Sequence, residues 1–434
     1  MKNQQRRNFL KLSGMALTAS AFPFNITHAQ PKNKYTNTDT LKVGLIGCGG
    51  RGSGAANQAL NADPNVVLHA MGDLFADQIA TSMANLKEIH GDKANVSPEH
   101  QYTGFDAYKK VLASGVDVVI LATTPAFRPL HIEAAVEAGK HVFCEKPVAV
   151  DAPGIRKFLE AAKKAKAKNV SIMSGFCWRF HEPKRATFAK IIDGAIGQVT
   201  TVYNTYNTGA TYRSYQPENP QLNSAEWQLR NWPFFNWLSG DHIVEQAVHS
   251  VDMMSWALGN QLPISAVGTG GRQVRTAPST GNIFDHFAIT YEFADGAKGF
   301  HFSRQQAGCE NSYAAESLGT KGRAIVDCSK NLHQITGAGK VWTYDGKQND
   351  MYQTEHDELF AAIRKGNTIS QGEAVANSSM IAILGRMAAY TGKKITWEEA
   401  INSTEQLGPP IESYNFNLNI PMSETAKPGI TLFK

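Results

Sequence analysis

Cysteine is scarce in this chain: five residues in 434, at positions 48, 144, 177, 309 and 328, with no C-x-x-C pair. An odd, scattered set excludes a disulfide framework and a cysteine-rich zinc module. Long hydrophobic runs are missing too. The apolar stretch near the start, Leu12 to Phe22, is too short to cross a bilayer as a helix, so no membrane span is expected. Charge of one sign is also lacking. Lys2, Arg6, Arg7 and Lys11 are the only charged residues among the first 29, and without them 43 bases against 38 acids become 39 against 38. Such a balance offers no electrostatic footprint for nucleic acid or an anionic membrane. Repeats and low-complexity tracts are absent, which removes the solenoid architectures.

What is present begins with an address. Gln5-Arg-Arg-Asn-Phe-Leu-Lys11, the apolar run after it and Thr27-His-Ala29 resemble a twin-arginine signal peptide over residues 1–29. A polar linker, 30–40, follows. Export in the folded state to the periplasm, or otherwise outside the cytoplasm, fits the unpaired cysteines. The remaining 405 residues can bury at least two cores.

Lys42-Val-Gly-Leu-Ile-Gly-Cys-Gly-Gly-Arg-Gly52 organises the rest. A short apolar strand runs into a turn with Gly47, Gly49 and Gly52 in G-x-G-x-x-G register, Gly50 and Arg51 between them, and a small-residue helix beyond. This turn lets backbone approach a pyrophosphate while the helix aims its N-terminal N–H groups at it. Val66 to Asp73 reads as the second strand, and Asp73 stands 21 residues past Gly52, near the spacing at which an acid binds the adenosine ribose. An acid there repels a 2′-phosphate, which favours NAD over NADP.

Strands and helices alternate from residue 41 to 176, predicting a doubly wound parallel sheet. Val116 to Ala122 is a nearly unbroken apolar strand, ending in Thr123-Thr124-Pro125 at the edge where ligands bind in such sheets. These residues either line the dinucleotide path or make an ordinary turn. The strand His141 to Pro147 ends in Glu145-Lys146-Pro147, and Val170 to Phe176 supplies a sixth strand. Taken together, the glycine fingerprint, Thr123-Thr-Pro125 and Glu145-Lys-Pro147 resemble the glucose–fructose oxidoreductase/inositol dehydrogenase (Gfo/Idh/MocA) family over about residues 41–400. The resemblance implies a Rossmann domain, a second α+β domain with a large, mostly antiparallel sheet, and homo-oligomerisation through that sheet. It also implies that Lys146 stands beside the nicotinamide and stabilises the reacting oxygen.

Domains are therefore expected at 41–176 for NAD and 177–400 for substrate and oligomerisation, with an arm at 401–434. Cys177 occupies a place where the family often has Asn, and Arg179 is read as an interdomain or ligand contact. Strands are expected at Val199–Asn207, Ala266–Gly270, Phe287–Glu292, Gly299–Ser303 and Ala324–Asp327. Between them the stretch 208–240 carries Tyr212, Tyr215, Trp227, Trp232 and Trp237 beside Arg213 and Arg230. It is either a sugar site or a loop packed by its own aromatics. Glu245, His249 and Asp252 fall on one face of a single predicted helix, where a carboxylate orients His249 as general base. The family commonly has D-x-x-x-H here, and Glu245 replaces its Asp. His242, Glu245 and His249 are zinc-type ligands, but the redox context accounts for them and no metal is expected. His356 and Asp357 are read as surface groups on an amphipathic helix beginning at Tyr352.

Three functions follow as expectations: hydride transfer between a carbohydrate or polyol hydroxyl carbon and a tightly bound NAD; a redox-neutral, NAD-dependent glycosidase acting by transient oxidation and elimination; and a non-catalytic sugar-binding protein.

Overall fold

The computed structural model describes residues 25–27, 35–36, 38–211, 215–337, 339–410 and 413–434, with backbone only for 25–27. The predicted signal peptide therefore lies outside the described residues apart from those three. Strands β1 to β7 are Asn25–Thr27, Leu41–Ile46, Val66–Asp73, Gln101–Thr103, Val118–Leu121, His141–Cys144 and Ile172–Ser174; β8 is Val199–Thr208. Strands β9 to β15 are Ser265–Gly271, His286–Glu292, Lys298–Gln305, Ser312–Gly319, Gly322–Asp327, Leu332–Gly337 and Lys340–Thr343, and β16 and β17 are Thr368–Ser370 and Ile395–Thr396.

The first sheet runs β1-β16-β7-β6-β5-β2-β3-β4. Every pair is parallel except β1 with β16. All four residues of β5 are buried, as the apolar run demands for a strand covered on both faces. The chain leaves β2 toward β3 and β4, then returns to β5 on the other side, so the crevice between β2 and β5 is the topological switch point.

The second sheet runs β15-β14-β13-β12-β8-β11-β10-β9-β17 and is antiparallel apart from β8 with β11. One face packs on helices: Val202, Phe287, Ile289 and Tyr291 are buried there. The other face leaves Tyr203, Val267, Phe302 and Leu318 exposed. The expected α/β architecture, a doubly wound sheet plus an α+β unit with a large mostly antiparallel sheet, is what the chain forms.

Two features differ from the sequence reading. Residues 351–370 return to the first sheet: Leu359, Phe360, Ile363 and Ile369 join the core of β2, β3 and β5, and β16 extends the sheet beside β7. His356 is accordingly not a surface group. It is fully buried with its ring 4.1 Å from that of Phe143, and burial pushes its pKa down to about 3; Asp357 is exposed. Desolvation in the core, with the charge of Arg51 second, holds the imidazole neutral.

Candidate active site

The fingerprint glycines are needed for distinct reasons. Gly47 has φ +95°, and a Cβ there would stand 2.6 Å from the backbone of Ala122 and Thr123, so glycine lets β2 turn against the end of β5. A Cβ on Gly52 would fall 1.9 Å from the Gly47 carbonyl oxygen, so the helix Gly50–Ala62 packs onto the turn only without a side chain. At Gly49 a Cβ would point into open space, 3.9 Å from Gln78. That space is a cleft of about 530 Å³ lined by Gly47, Gly49, Gly50, Asp73, Thr123 and Thr124. Asp73 accepts from the Cys48 N–H at 2.6 Å and the Phe75 N–H at 3.0 Å, and burial raises its pKa.

These residues fit a dinucleotide. The helix N-terminus and glycine turn suit a pyrophosphate, and Asp73 at the cleft wall suits ribose hydroxyls. Thr124 Oγ1 is buried at the cleft without a partner among the described residues, and Thr123 Oγ1 lies 3.1 Å from His131 Nδ1. Pro125 does not line the cleft; it is buried and opens the short turn before the helix Arg128–Glu137.

Arg51 is placed otherwise than expected. It donates to Glu145 at 2.6 Å and lies 4.8 Å over the ring of Tyr352, tying the turn to the end of β6 rather than reaching for phosphate. Glu145 is 3% exposed, and a Cβ on Gly175 would come within 2.6 Å of its carboxylate. It positions neighbouring groups and has no open approach of its own.

Lys146 follows. Its Nζ lies 3.3 Å from Glu245 Oε1 and donates also to the Glu245 carbonyl. The single helix predicted through Glu245, His249 and Asp252 is in fact two, His242–Glu245 and Val248–Ala257. The carbonyl of His242 accepts from both Gln246 and Ala247, which breaks the repeat. Asp241 starts the first helix at φ +77°, its carboxylate fixed by the Phe284 N–H at 2.7 Å and the Tyr390 hydroxyl at 2.5 Å. Because of the break, no carboxylate among the described residues orients His249: Glu245 turns to Lys146, and Asp252 pairs with Arg179. His249 is packed between aromatic rings, Trp178 at 5.1 Å and Phe176 at 6.0 Å, with Nδ1 buried and unpartnered. Burial first, then the charges of Lys146 and Lys184, push its pKa well down, so the imidazole is neutral.

Three substrate assignments change. Arg179 is only 4% exposed, its guanidinium forked on Asp252 at 2.7 Å and 2.7 Å and stacked on Trp256, so it holds elements together instead of meeting a ligand. Arg230 and Trp232 line the dinucleotide cleft. Arg230 forks on Asp77 at 3.0 Å to each oxygen and lies 3.8 Å over Phe75, both just beyond Asp73. Tyr212 lies outside the described residues. The aromatic stretch is thus largely packed by its own rings: Trp227, Phe234 and Trp237 form one apolar cluster with Phe127 and with Tyr414 of the C-terminal arm, while Tyr215, Arg230 and Trp232 reach the cleft.

Sequence reasoning overlooked Tyr352, Trp178 and Lys184. Trp178 had a signal, standing one residue before Arg179; a lysine in the helix Glu182–Ile192 had none. Among the described residues, no cluster of three or more potential ligands can hold a metal ion and no helix is long and apolar enough to cross a membrane. All five cysteines are free.

A glycine turn opening on a switch-point cleft, in a sheet whose β6 end carries Lys146 against Glu245 of the second unit, is the arrangement of a two-domain dinucleotide-binding protein. Two family models agree: the oxidoreductase family with an NAD-binding Rossmann fold matches residues 41–174, and the GFO/IDH/MocA C-terminal domain matches 186–325. The chain belongs to the Gfo/Idh/MocA family. It is 25% identical over 339 residues to inositol 2-dehydrogenase of Rhizobium meliloti (strain 1021), covering 76% of this chain and 91% of that one. It is 26% identical over 283 residues to 2,7-anhydro-N-acetylneuraminate hydratase of Escherichia coli (strain K12), covering 64% and 68%. The fold matches levoglucosan dehydrogenase solved with NADH and levoglucosan, with TM-score 0.65 at 19% identity over 82% of this chain and 99% of that one.

Proposed function

We propose that this protein oxidises a hydroxyl-bearing carbon of a carbohydrate or cyclic polyol, with NAD held in the switch-point cleft. The observation that carries this reading is the meeting of Lys146, from the edge of the parallel sheet, with the Glu245–His249 segment of the second unit. NAD supplies hydride acceptance. His249, neutral and dry, takes the hydroxyl proton, and Lys146 donates to the oxygen as negative charge grows on it. Glu245 holds the ammonium in place, and Arg51 and Glu145 hold the strand end from which it projects. Adding NAD and a panel of sugars and polyols while following absorbance near 340 nm tests this; a rise with none of them argues against net oxidation.

A redox-neutral cycle is the second reading. The Escherichia coli relative is named a hydratase, a reaction without net oxidation, and a clasped NAD suits a hydride that returns to the same substrate. Aglycone release from aryl glycosides without added NAD would favour it.

We further infer export through the twin-arginine pathway from the first 29 residues, with NAD loaded before transit. A homo-oligomer formed through the open face of the second sheet is supported by exposed Tyr203, Val267, Phe302 and Leu318. Fractionation and light scattering test these two points.

A further inference from the structure

Beside the active site lies a pocket of about 500 Å³ lined by Trp178, His181, Lys184, Cys328, Gln348 and Tyr352, among others. Lys184 is 3% exposed, yet among the described residues no carboxylate oxygen lies within ion-pair distance of it. Its Nζ lies 3.2 Å from His181 Nδ1. An ammonium only donates, so His181 accepts there and carries its own proton on Nε2. The ring of His333 is 5.5 Å from that of His181, and His333 Nε2 is buried without a partner among the described residues. The acids nearest the pocket are engaged elsewhere. Asp350 caps the helix Met351–Arg364, accepting from the Tyr352 and Gln353 N–H groups, and Asp327 accepts from those of Ser329 and Lys330. A cation taken out of water without a counter-charge is a costly arrangement unless a ligand supplies the missing charge.

We propose that this pocket receives the carboxylate of a sugar acid, uronic or aldonic, with Lys184 as its counter-ion and His181 as its neutral hydrogen-bonding neighbour, His333 lying behind His181. Trp178 links the pocket to the chemistry, since its ring lies 5.4 Å from Lys184 Nζ and 5.1 Å from the ring of His249. A sugar laid along the indole presents its carboxylate to Lys184 and a hydroxyl to His249. One cation, with two acids close by, suits a single negative charge better than a phosphate dianion. This inference rests on the oxidoreductase reading for its direction but is tested by binding alone.

The test is calorimetric titration of the full-length, NAD-loaded protein with D-glucuronate, D-galacturonate and D-gluconate, against D-glucose, D-galactose, D-glucitol and D-glucose 6-phosphate. At least one acid is expected to bind tenfold or more tightly than its neutral counterpart, about the worth of a charge-assisted hydrogen bond. Lys184→Gln should reduce that preference to within about twofold, and Lys184→Arg should keep most of it. Acids binding no more tightly than their neutral partners, a sugar phosphate binding most tightly, or an unchanged preference in Lys184→Gln would each overturn the proposal. Should the glutamine variant not fold, the wild-type comparison decides alone. Acid binding without any change near 340 nm would count against net oxidation of that acid while leaving the pocket assignment intact.

Discussion

Lys146 and Glu245 stand 99 residues apart in sequence and meet at 3.3 Å, one from the end of the parallel sheet and one from the second unit. Their side chains are 14% and 18% exposed, so the contact is shielded from bulk water while leaving room for a ligand. Lys146→Met should lower kcat by about a hundredfold or more through lost stabilisation of the developing oxyanion, with NAD affinity little changed. His249→Ala should cost about a hundredfold or more by removing the general base. Steady-state kinetics beside NAD titration separates the two effects.

Arg230 and Asp77 pair across the wall of the cleft, the Asp77 end being largely exposed. Arg230→Ala removes the ion pair and the stacking on Phe75 together. NAD should then dissociate about tenfold faster, as stopped-flow displacement would show, with the substrate KM little altered. A substrate role for Arg230 predicts the reverse.

Glycine at 175 is dictated by Glu145. An alanine Cβ would stand 2.6 Å from its carboxylate, forcing it off Arg51 and shifting the strand end that carries Lys146. Gly175→Ala should therefore reduce kcat in a folded, NAD-binding protein. Gly52→Ala, whose Cβ would collide with the Gly47 carbonyl at 1.9 Å, should abolish NAD binding. Kinetics and NAD titration distinguish the two.

Several histidines titrate far below their ordinary range. Burial pushes His131, His301 and His356 down to about 3, and His249 well down. The unfolded chain takes up these protons near pH 6.5 and the folded chain does not, so stability is full above that pH and is lost as pH falls toward 3. Each such histidine costs about 1.4 kcal/mol per pH unit in that window. Melts between pH 7.5 and 5 should show Tm falling. Because His249 stays neutral, the acid limb of kcat/KM should lie well below pH 6.

Much of the Rossmann half is legible in sequence because its signals are local. The strand at Val118–Leu121 is apolar throughout, and Gly47 and Gly52 meet backbone within the same turn. The site is less legible where distant segments decide. Glu245 and His249 have helical spacing with no glycine or proline between them, yet Asp241, held by Phe284 and Tyr390, starts a helix that ends at Glu245. Aromatics at 208–240 announce a covered surface but not what they cover, and only folding brings Arg230 to Asp77. His356 reads as polar on an amphipathic helix, and its burial follows from Phe143, more than two hundred residues earlier.

Buried Arg179 gives a prediction about stability alone. Arg179→Ala leaves Asp252 charged and buried, which should destabilise the fold by roughly 3–5 kcal/mol. In a variant that still folds, substrate KM should be unchanged, as thermal melts and kinetics would establish.

The most direct measurement is a single turnover. NAD-loaded protein is mixed with each member of a sugar, sugar-acid and polyol panel while absorbance near 340 nm is followed, in wild type and in Lys146→Met. A rise with at least one compound in wild type, lost in the variant with NAD still bound, is the predicted result. The same rise in both proteins would contradict the assignment of Lys146 to the reacting centre.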